Sequence, residues 1–291
     1  MKNQFNLITG AKGYIAEQLS LEFNKKKIRH ILIDKNSNKK KIYKIDLKNK
    51  KKINNFFKKN KKKIKNVFHF GTHSALAYQN NFNESFYDDF IALKNLIENL
   101  KKIGSPKIIY LSSSYVYSNA KYRSKKLLSE KSEINPSHNF GFAKKFFEDY
   151  ICKFYDNYLI FRLSSVFGIG NSIHPNAIYN LCKDAKQNKK IFIWGNGSRK
   201  MQYIYMTDVI QYLIKSNNLN GIYNLCGKEY VSLKKLSAML RGYYDVSVYF
   251  DKSKKEGESL PRMTNNKIIN EVGNFYHKFE ASLKDYIMKI N

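Results

Sequence analysis

Leu7-Ile8-Thr9-Gly10-Ala11-Lys12-Gly13-Tyr14-Ile15-Ala16 follows an apolar strand-like run, Phe5–Thr9, and opens a helical pattern, Tyr14–Phe23. A strand that turns at glycine straight into a helix is the dinucleotide fingerprint. Gly10 permits the tight turn, and Gly13 lets backbone amides approach a pyrophosphate. The helix N-terminus then offers unpaired donors and a partial positive charge. Ala16 stands where a small residue packs helix on strand. The spacing Gly10-x-x-Gly13 differs from the G-x-G of many dehydrogenases, so the glycines alone leave an ordinary strand–helix turn open.

Two carboxylates downstream strengthen the reading. Asp34 ends a second apolar run, Arg29–Asp34, about twenty residues beyond the glycines, where an acid accepts both ribose hydroxyls of an adenosine. A 2′-phosphate would be repelled there, so NAD is expected rather than NADP. Asp46-Leu47 follows a third short run, Lys41–Ile45, and places a carboxylate where it meets an adenine amino group.

Outward from this stretch the alternation continues. Strand-like runs at Val67–Phe70, Lys107–Ser112 and Tyr158–Arg162 are separated by helical patterns at Phe90–Lys102 and Phe140–Phe154. Strands alternating with helices of this length imply right-handed crossovers and a doubly wound parallel sheet, an α/β fold of the Rossmann type. Beyond about residue 165 the pattern loosens. Short strands (Ile191–Trp194, Tyr203–Tyr205, Ile222–Leu225, Val246–Phe250) mix with helices at Thr207–Lys215, Ser232–Gly242 and Ser282–Lys289. Residues 1–165 are expected to form the nucleotide-binding domain, and residues 166–291 a smaller mixed cap that crosses back to the sheet around 195–230.

Composition limits the alternatives. The net charge of +30 would suit a nucleic-acid binder, but it comes from 47 lysines and only six arginines. Readers of nucleic acid lean on arginine for bidentate phosphate and base contacts. Residues 1–65 alone carry +17, in runs such as Lys48–Lys52 and Lys58–Lys65 that surround Ile53, Phe56, Phe57 and Ile64. That spacing reads as the solvated face of a helix, so no nucleic-acid partner is expected. Cys152, Cys182 and Cys226 lie at no metal-ligand spacing and cannot all pair, which excludes a disulfide scaffold or zinc module and suggests a reducing compartment. No apolar run approaches ~18 residues and no apolar leader precedes Phe5, so a cytoplasmic protein without membrane contact is expected.

Further motifs appear in order along the chain. They are Val67-Phe68-His69-Phe70-Gly71; Ile109-Tyr110-Leu111-Ser112-Ser113-Ser114-Tyr115-Val116-Tyr117; Glu130 and Pro136 ahead of Gly141, Lys144 and Glu148; Arg162-Leu163-Ser164-Ser165-Val166-Phe167-Gly168; Gly195-Asn196-Gly197 through Tyr203-Ile204-Tyr205-Met206-Thr207-Asp208-Val209; and Gly221-Ile222-Tyr223-Asn224-Leu225 followed by Val231-Ser232-Leu233. Over nearly its full length the chain resembles the extended short-chain dehydrogenase/reductases, in particular their NAD-dependent nucleotide-sugar epimerase/dehydratase branch.

The resemblance implies hydride transfer at a sugar carbon, most often C4 of a nucleoside-diphosphate sugar, with a tyrosinate as proton acceptor. Carried over by position, Ser113 is the hydroxyl that binds the reacting sugar oxygen and Lys144 the lysine that binds the nicotinamide ribose. The remaining cofactor contacts would come from Lys12, Tyr14, Ile15, Leu47, Phe70, Gly71, Thr72 and Ser112. Substrate contacts would come from Ser114, Tyr115, Ser165, Arg199 and Arg262. A homodimer built on the Phe90–Lys102 and Phe140–Phe154 regions is also implied.

The resemblance breaks at its chemical centre. Phe140 stands where the family places the tyrosine, one helical turn before Lys144. Either another group moves the proton (Tyr115, His138 or a water), or the site binds without turnover, or the residue is a deliberate Tyr→Phe change that traps a complex. Asp89 and Ser165 replace family asparagines, and Met201 replaces an arginine that usually pairs with the diphosphate. Ser114-Tyr115 replaces the acidic pair of 4,6-dehydratases, which disfavours dehydration because elimination needs an acid for the leaving hydroxyl. The expected activity is therefore that of an epimerase, with a 4-ketoreductase and a non-catalytic binding protein as alternatives.

Overall fold

A computed structural model describes residues 4–37, 41–61, 63–118, 127–170 and 176–290; Lys62 in the basic run and Arg123 lie outside them. In chain order the elements are β1 (Phe5–Thr9), α1 (Tyr14–Lys25), β2 (His30–Asp34), β3 (Ile42–Lys44), α2 (Lys50–Lys59), β4 (Ile64–His69), α3 (Ala75–Asn80), α4 (Phe82–Lys102), β5 (Lys107–Ser113), a 3-10 turn (Ser114–Tyr117), α5 (Asn139–Phe154), β6 (Tyr158–Leu163), β7 (Ser165–Phe167), α6 (Ala177–Asn188), β8 (Lys190–Trp194), β9 (Lys200–Tyr205), α7 (Met206–Lys215), β10 (Gly221–Leu225), β11 (Tyr230–Ser232), α8 (Leu233–Tyr244), β12 (Ser247–Asp251), α9 (Asn266–Val272) and α10 (Phe279–Ile290).

Seven strands form one parallel sheet in the order β10-β6-β5-β4-β1-β2-β3. Side chains alternate between its two faces. Leu7, Val67, Ile108, Tyr110 and Ile160 face one core with Phe56 and Phe57 of α2, Leu93 and Leu96 of α4 and Phe147 and Ile151 of α5. Ile8, Phe68, Ile109, Leu159 and Phe161 face another with Leu19 and Phe23 of α1 and Val209 and Leu213 of α7. Apolar residues on both faces are what a parallel sheet covered by helices requires. The order reverses at β1, whose neighbours are β2 and β4. The crevice beyond the carboxyl ends of β1 and β4 is thus the switch point at which such folds bind ligands.

Two smaller sheets, β11-β9-β7 and β12-β8, surround a third core that includes Phe167, Leu181, Tyr203, Leu236 and Leu283. β10 returns from this region to pair with β6 at the edge of the main sheet. The basic run reads out as expected from its spacing: α2 buries Ile53, Phe56 and Phe57 while Lys51, Lys52, Lys58 and Lys59 are exposed.

Several elements differ from the sequence reading. α4 begins at Phe82 rather than Phe90 because Asn81 caps it: its side chain accepts from the Glu84 N–H (3.2 Å) and its amide donates to the Glu84 carboxylate (2.8 Å). α6 was not expected, although Asn176 caps it and Ile178, Leu181, Cys182 and Ala185 recur at helical spacing. α3, β7, β11 and α9 are too short for periodicity to reveal. Among the described residues no helix is long and apolar enough to cross a membrane.

Candidate active site

The switch-point crevice is a cleft of about 310 Å³. Its floor is bare backbone. Gly10 has φ +67°, and a Cβ there would lie 2.5 Å from both the Cα and the N of Gly71, the residue that ends the loop step after β4. Gly13 closes the turn by donating its N–H to the Gly10 carbonyl (2.8 Å). Two chain segments therefore meet backbone to backbone, and the cleft beside them is floored by glycine backbone next to the start of α1. An alanine at position 10 is expected to lose about 1–2 kcal/mol from the left-handed conformation alone, plus the clash with Gly71. Thermal unfolding and dinucleotide titration of Gly10→Ala check this.

Of the residues singled out in sequence, Gly10, Lys12, Gly13, Asp34, Asp46, Leu47, Phe70, Gly71 and Thr72 all line this cleft. Asp34 is oriented by two backbone donors, the N–H of Lys12 (3.0 Å) and that of Asn36 (2.9 Å). Asp46 is held by the N–H of Lys48 (2.9 Å). The remaining cofactor candidates are not among the lining residues. Tyr14 donates its hydroxyl to the Gly168 carbonyl (2.6 Å), and Ile15 lies on the α1 face packed against the second core. Ser112 turns its hydroxyl to Glu148, away from the cleft.

Ser113 ends β5, and its Oγ accepts from the Tyr115 N–H (3.3 Å) as the chain enters the 3-10 turn. Gly141 explains how α5 reaches this turn. A Cβ on Gly141 would lie 2.3 Å from the Tyr115 carbonyl oxygen, so the helix presses directly on the turn. That contact sets Tyr115 edge-on to Phe140 (centroids 5.9 Å apart) and to His138 (5.3 Å). Phe140 is half-buried and also packs on Tyr78 at 5.7 Å.

Lys144 is buried one turn along α5, its Nζ 5.4 Å from the centre of the Phe140 ring. It donates to Thr72 Oγ1 (3.1 Å), Tyr110 OH (3.1 Å) and the Leu111 carbonyl (3.0 Å). Burial lowers its pKa to about 8, against the opposing pull of Asp89 and Glu148. Under the same helix the ion pair Glu148–Arg162 (2.7 Å) is itself buried, and the Arg162 guanidinium also donates to Tyr117 OH (2.5 Å). This network ties α5, β5, β6 and the 3-10 turn into one frame.

The substrate candidates are more scattered. Ser114 is buried in the turn and Tyr115 half-buried beside Phe140, whereas Ser165 belongs to β7. Arg199 donates its Nε to the Glu258 carbonyl (3.0 Å), and its N–H to Glu256 (2.8 Å). Arg262 is exposed, with its carbonyl taking the Leu128 N–H (2.8 Å). Met201 is buried in the third core. Sequence reasoning missed His73, which lines the cleft on the loop after β4 and joins Asp89 through a 2.7 Å contact. A lone histidine sixteen positions from its partner carries no spacing signal.

The sequence model of the NAD dependent epimerase/dehydratase family matches residues 6–226, which include the cleft, Ser113, Phe140 and Lys144. The chain belongs to this family. No curated protein matches its sequence. Among solved structures, the UDP-glucose 4-epimerase of Thermotoga maritima, crystallised with UDP-glucose, superposes with a TM-score of 0.87 at 17% identity, covering 99% of this chain and 98% of that one. The UDP-glucose 4-epimerase of Thermus thermophilus in complex with NAD gives 0.82 at 14% identity, with 98% of each chain covered. The UDP-N-acetylglucosamine 4-epimerase of Methanobrevibacter ruminantium gives 0.83 at 20% identity, covering 100% and 99%. At these identities the likeness is one of fold. The backbone floor, the two oriented carboxylates and the helix start fit the cofactor that the family is named for.

Proposed function

We propose that this protein is an NAD-dependent enzyme acting on a nucleoside-diphosphate sugar by transient hydride transfer at C4, an epimerase. The observation that carries the reading is the placement of Lys144. A buried ammonium on the helix that presses against the turn after Ser113 is held by the Leu111 carbonyl and by Thr72, and Thr72 lines the dinucleotide cleft. Bound NAD supplies a hydride acceptor that can return what it takes. In this scheme Asp34 holds the adenosine ribose, Gly10 and Gly13 the diphosphate, and Lys144 the nicotinamide ribose, while Ser113 binds the reacting sugar oxygen. Phe140 contributes shape but no proton, so the hydroxyl proton leaves through another group on the same wall. Tyr115, which packs on Phe140, and His138, which packs on Tyr115, are the candidates.

A second reading, binding without turnover, is favoured by the same Phe140. Incubating the protein with NAD and each of UDP-glucose, UDP-galactose and their N-acetyl forms, and following sugar composition, separates the two. Epimerised product supports the enzyme; tight sugar-nucleotide binding without product supports the binder. Cofactor binding is expected to weaken as the pH rises through about 8, because the Lys144 cation is present below its pKa and lost above it. Calorimetric titration with NAD from pH 7 upward checks the sign.

Three subsidiary proposals go with this reading. The chain divides near residue 165 into a cofactor domain and a substrate cap, and works in the cytoplasm on activated sugars destined for polysaccharide. It also dimerises through α4 and α5, where Tyr87, Phe142 and Phe154 are exposed beside the packed rings of Phe82, Phe86 and Phe146. Sedimentation of wild type against Phe142→Lys tests the last point: a dimer that the lysine splits is expected.

A further inference from the structure

The loop after β4 carries a polar arrangement that the proposed chemistry does not use. Asp89 of α4 is buried and accepts from two residues, His73 and Tyr78. The His73 N–H reaches both its oxygens (3.2 and 3.0 Å), His73 Nδ1 lies 2.7 Å from Oδ1, and Tyr78 OH donates to Oδ2 (2.8 Å). Both carboxylate oxygens are thus engaged, and the contact to Nδ1 orients the imidazole. With Nδ1–H committed to Asp89, the opposite ring nitrogen, Nε2, is the end of the dyad with no hydrogen-bond partner among the described residues. His73 is half-buried and lines the same cleft as Gly10, Lys12 and Gly13.

The chemistry of that nitrogen is two-valued. In the neutral ring Nε2 is an acceptor, and its lone pair together with the Asp89 charge opposes an anion. In the protonated ring Nε2–H is a cationic donor and the dyad as a whole is neutral. We infer that the His73–Asp89 dyad is a proton-dependent clasp on the diphosphate of the dinucleotide, binding it through Nε2–H and releasing its grip when the imidazole loses its proton. The inference rests on the proposed cofactor reading and adds a contact to it.

The surroundings leave the imidazole easier to protonate than a free one. Asp89 hydrogen-bonds it and raises its pKa, burial lowers it, Lys35 on the β2–β3 loop lowers it, and Asp88 raises it. Asp88 is itself paired with Lys48 at 2.6 Å, which mutes its pull. Tyr78, packed edge-on at 6.5 Å from α3, is neutral at these pH values. Lys12, Asp34 and Asp46 line the same cleft. Lys144 titrates at about 8.

The test is calorimetric titration of the folded, cofactor-stripped protein with NAD between pH 6 and 8, in two buffers of different ionisation enthalpy. Wild type is expected to take up a fraction of a proton on binding, and to lose affinity by up to about tenfold per pH unit once His73 is neutral. His73→Gln should bind more weakly at pH 6, and the uptake and the steep dependence should vanish over the lower part of the range; Lys144 is common to both proteins and cancels in the comparison. Asp89→Asn should shift the midpoint to lower pH, because the imidazolium loses its counter-charge. Circular dichroism melts establish that the variants are folded. If His73→Gln binds NAD with the same pH dependence and the same proton uptake as wild type, the clasp is wrong and the cofactor reading stands. If neither protein binds NAD at any pH, both fall.

Discussion

Replacing Phe140 by tyrosine is expected to raise sugar-nucleotide turnover by about 10²- to 10⁴-fold, the usual worth of a positioned general acid–base. The structure gives the reason in distances. Position 140 faces Lys144 across 5.4 Å, one helical turn away, and packs against Tyr115 and Tyr78. A phenol oxygen added at the ring's tip would share its wall with the buried ammonium, whose charge favours the phenolate. The substitution adds one atom to a ring that is only half-buried, so little disruption of packing is expected. Rates and melting temperatures of the two proteins, measured side by side, decide the matter. A large gain at unchanged stability means that the frame is catalytic and lacks only its proton acceptor. No gain, in a variant that still binds NAD and substrate, means that the proton already leaves by another route such as Tyr115, or that the site does not turn over.

The second large effect concerns the frame itself. Glu148→Ala is expected to destabilise the protein by about 3–5 kcal/mol, because it leaves the Arg162 guanidinium charged and buried. Both side chains are 2% exposed, and the pair is joined by three nitrogen–oxygen contacts of 2.7 to 3.1 Å. The same carboxylate accepts from Ser112, and the guanidinium from the other side holds Tyr117, which contacts Asn224 of β10 at 3.1 Å. Removing one charge therefore loosens the strand end that carries Ser113 as well as the helix that carries Lys144. Replacing both partners by methionine should recover most of the lost stability, since neither charge is then stranded. Chemical denaturation of the single and double variants measures the difference. A single variant that costs less than about 1 kcal/mol would show that the pair does not hold the frame.

How much of this was legible in the sequence depended on whether a requirement was local. The turn at Gly10 announces itself because a positive φ and a close backbone approach leave only glycine. The parallel sheet was legible because β1, β4, β5 and β6 are apolar on both faces, and α2 because its lysines leave Ile53, Phe56 and Phe57 on one side. The start of α4 was written in Asn81 and Glu84 and in the four-residue spacing of Phe82, Phe86 and Phe90, a signal that the reading from Phe90 onward passed over. What could not be read were pairings made by tertiary structure. Glu148 and Arg162 each stood out as motif residues, yet nothing in their spacing says that they meet. Asp89 was recognised as a departure from asparagine, while the histidine that answers it was not. Arg199 stood out as a phosphate candidate, while the donation of its Nε to the Glu258 carbonyl could not be read from spacing.

The central claim is that a dinucleotide rests on the Gly10–Gly13 turn with its adenosine ribose on Asp34. Its most direct measurement is calorimetric titration of the stripped protein with NAD and with NADP. The account predicts one NAD bound per chain, NADP bound far more weakly, and loss of NAD binding in Asp34→Ala. Undiminished binding in that variant, or no uptake of NAD by the intact protein, would contradict it.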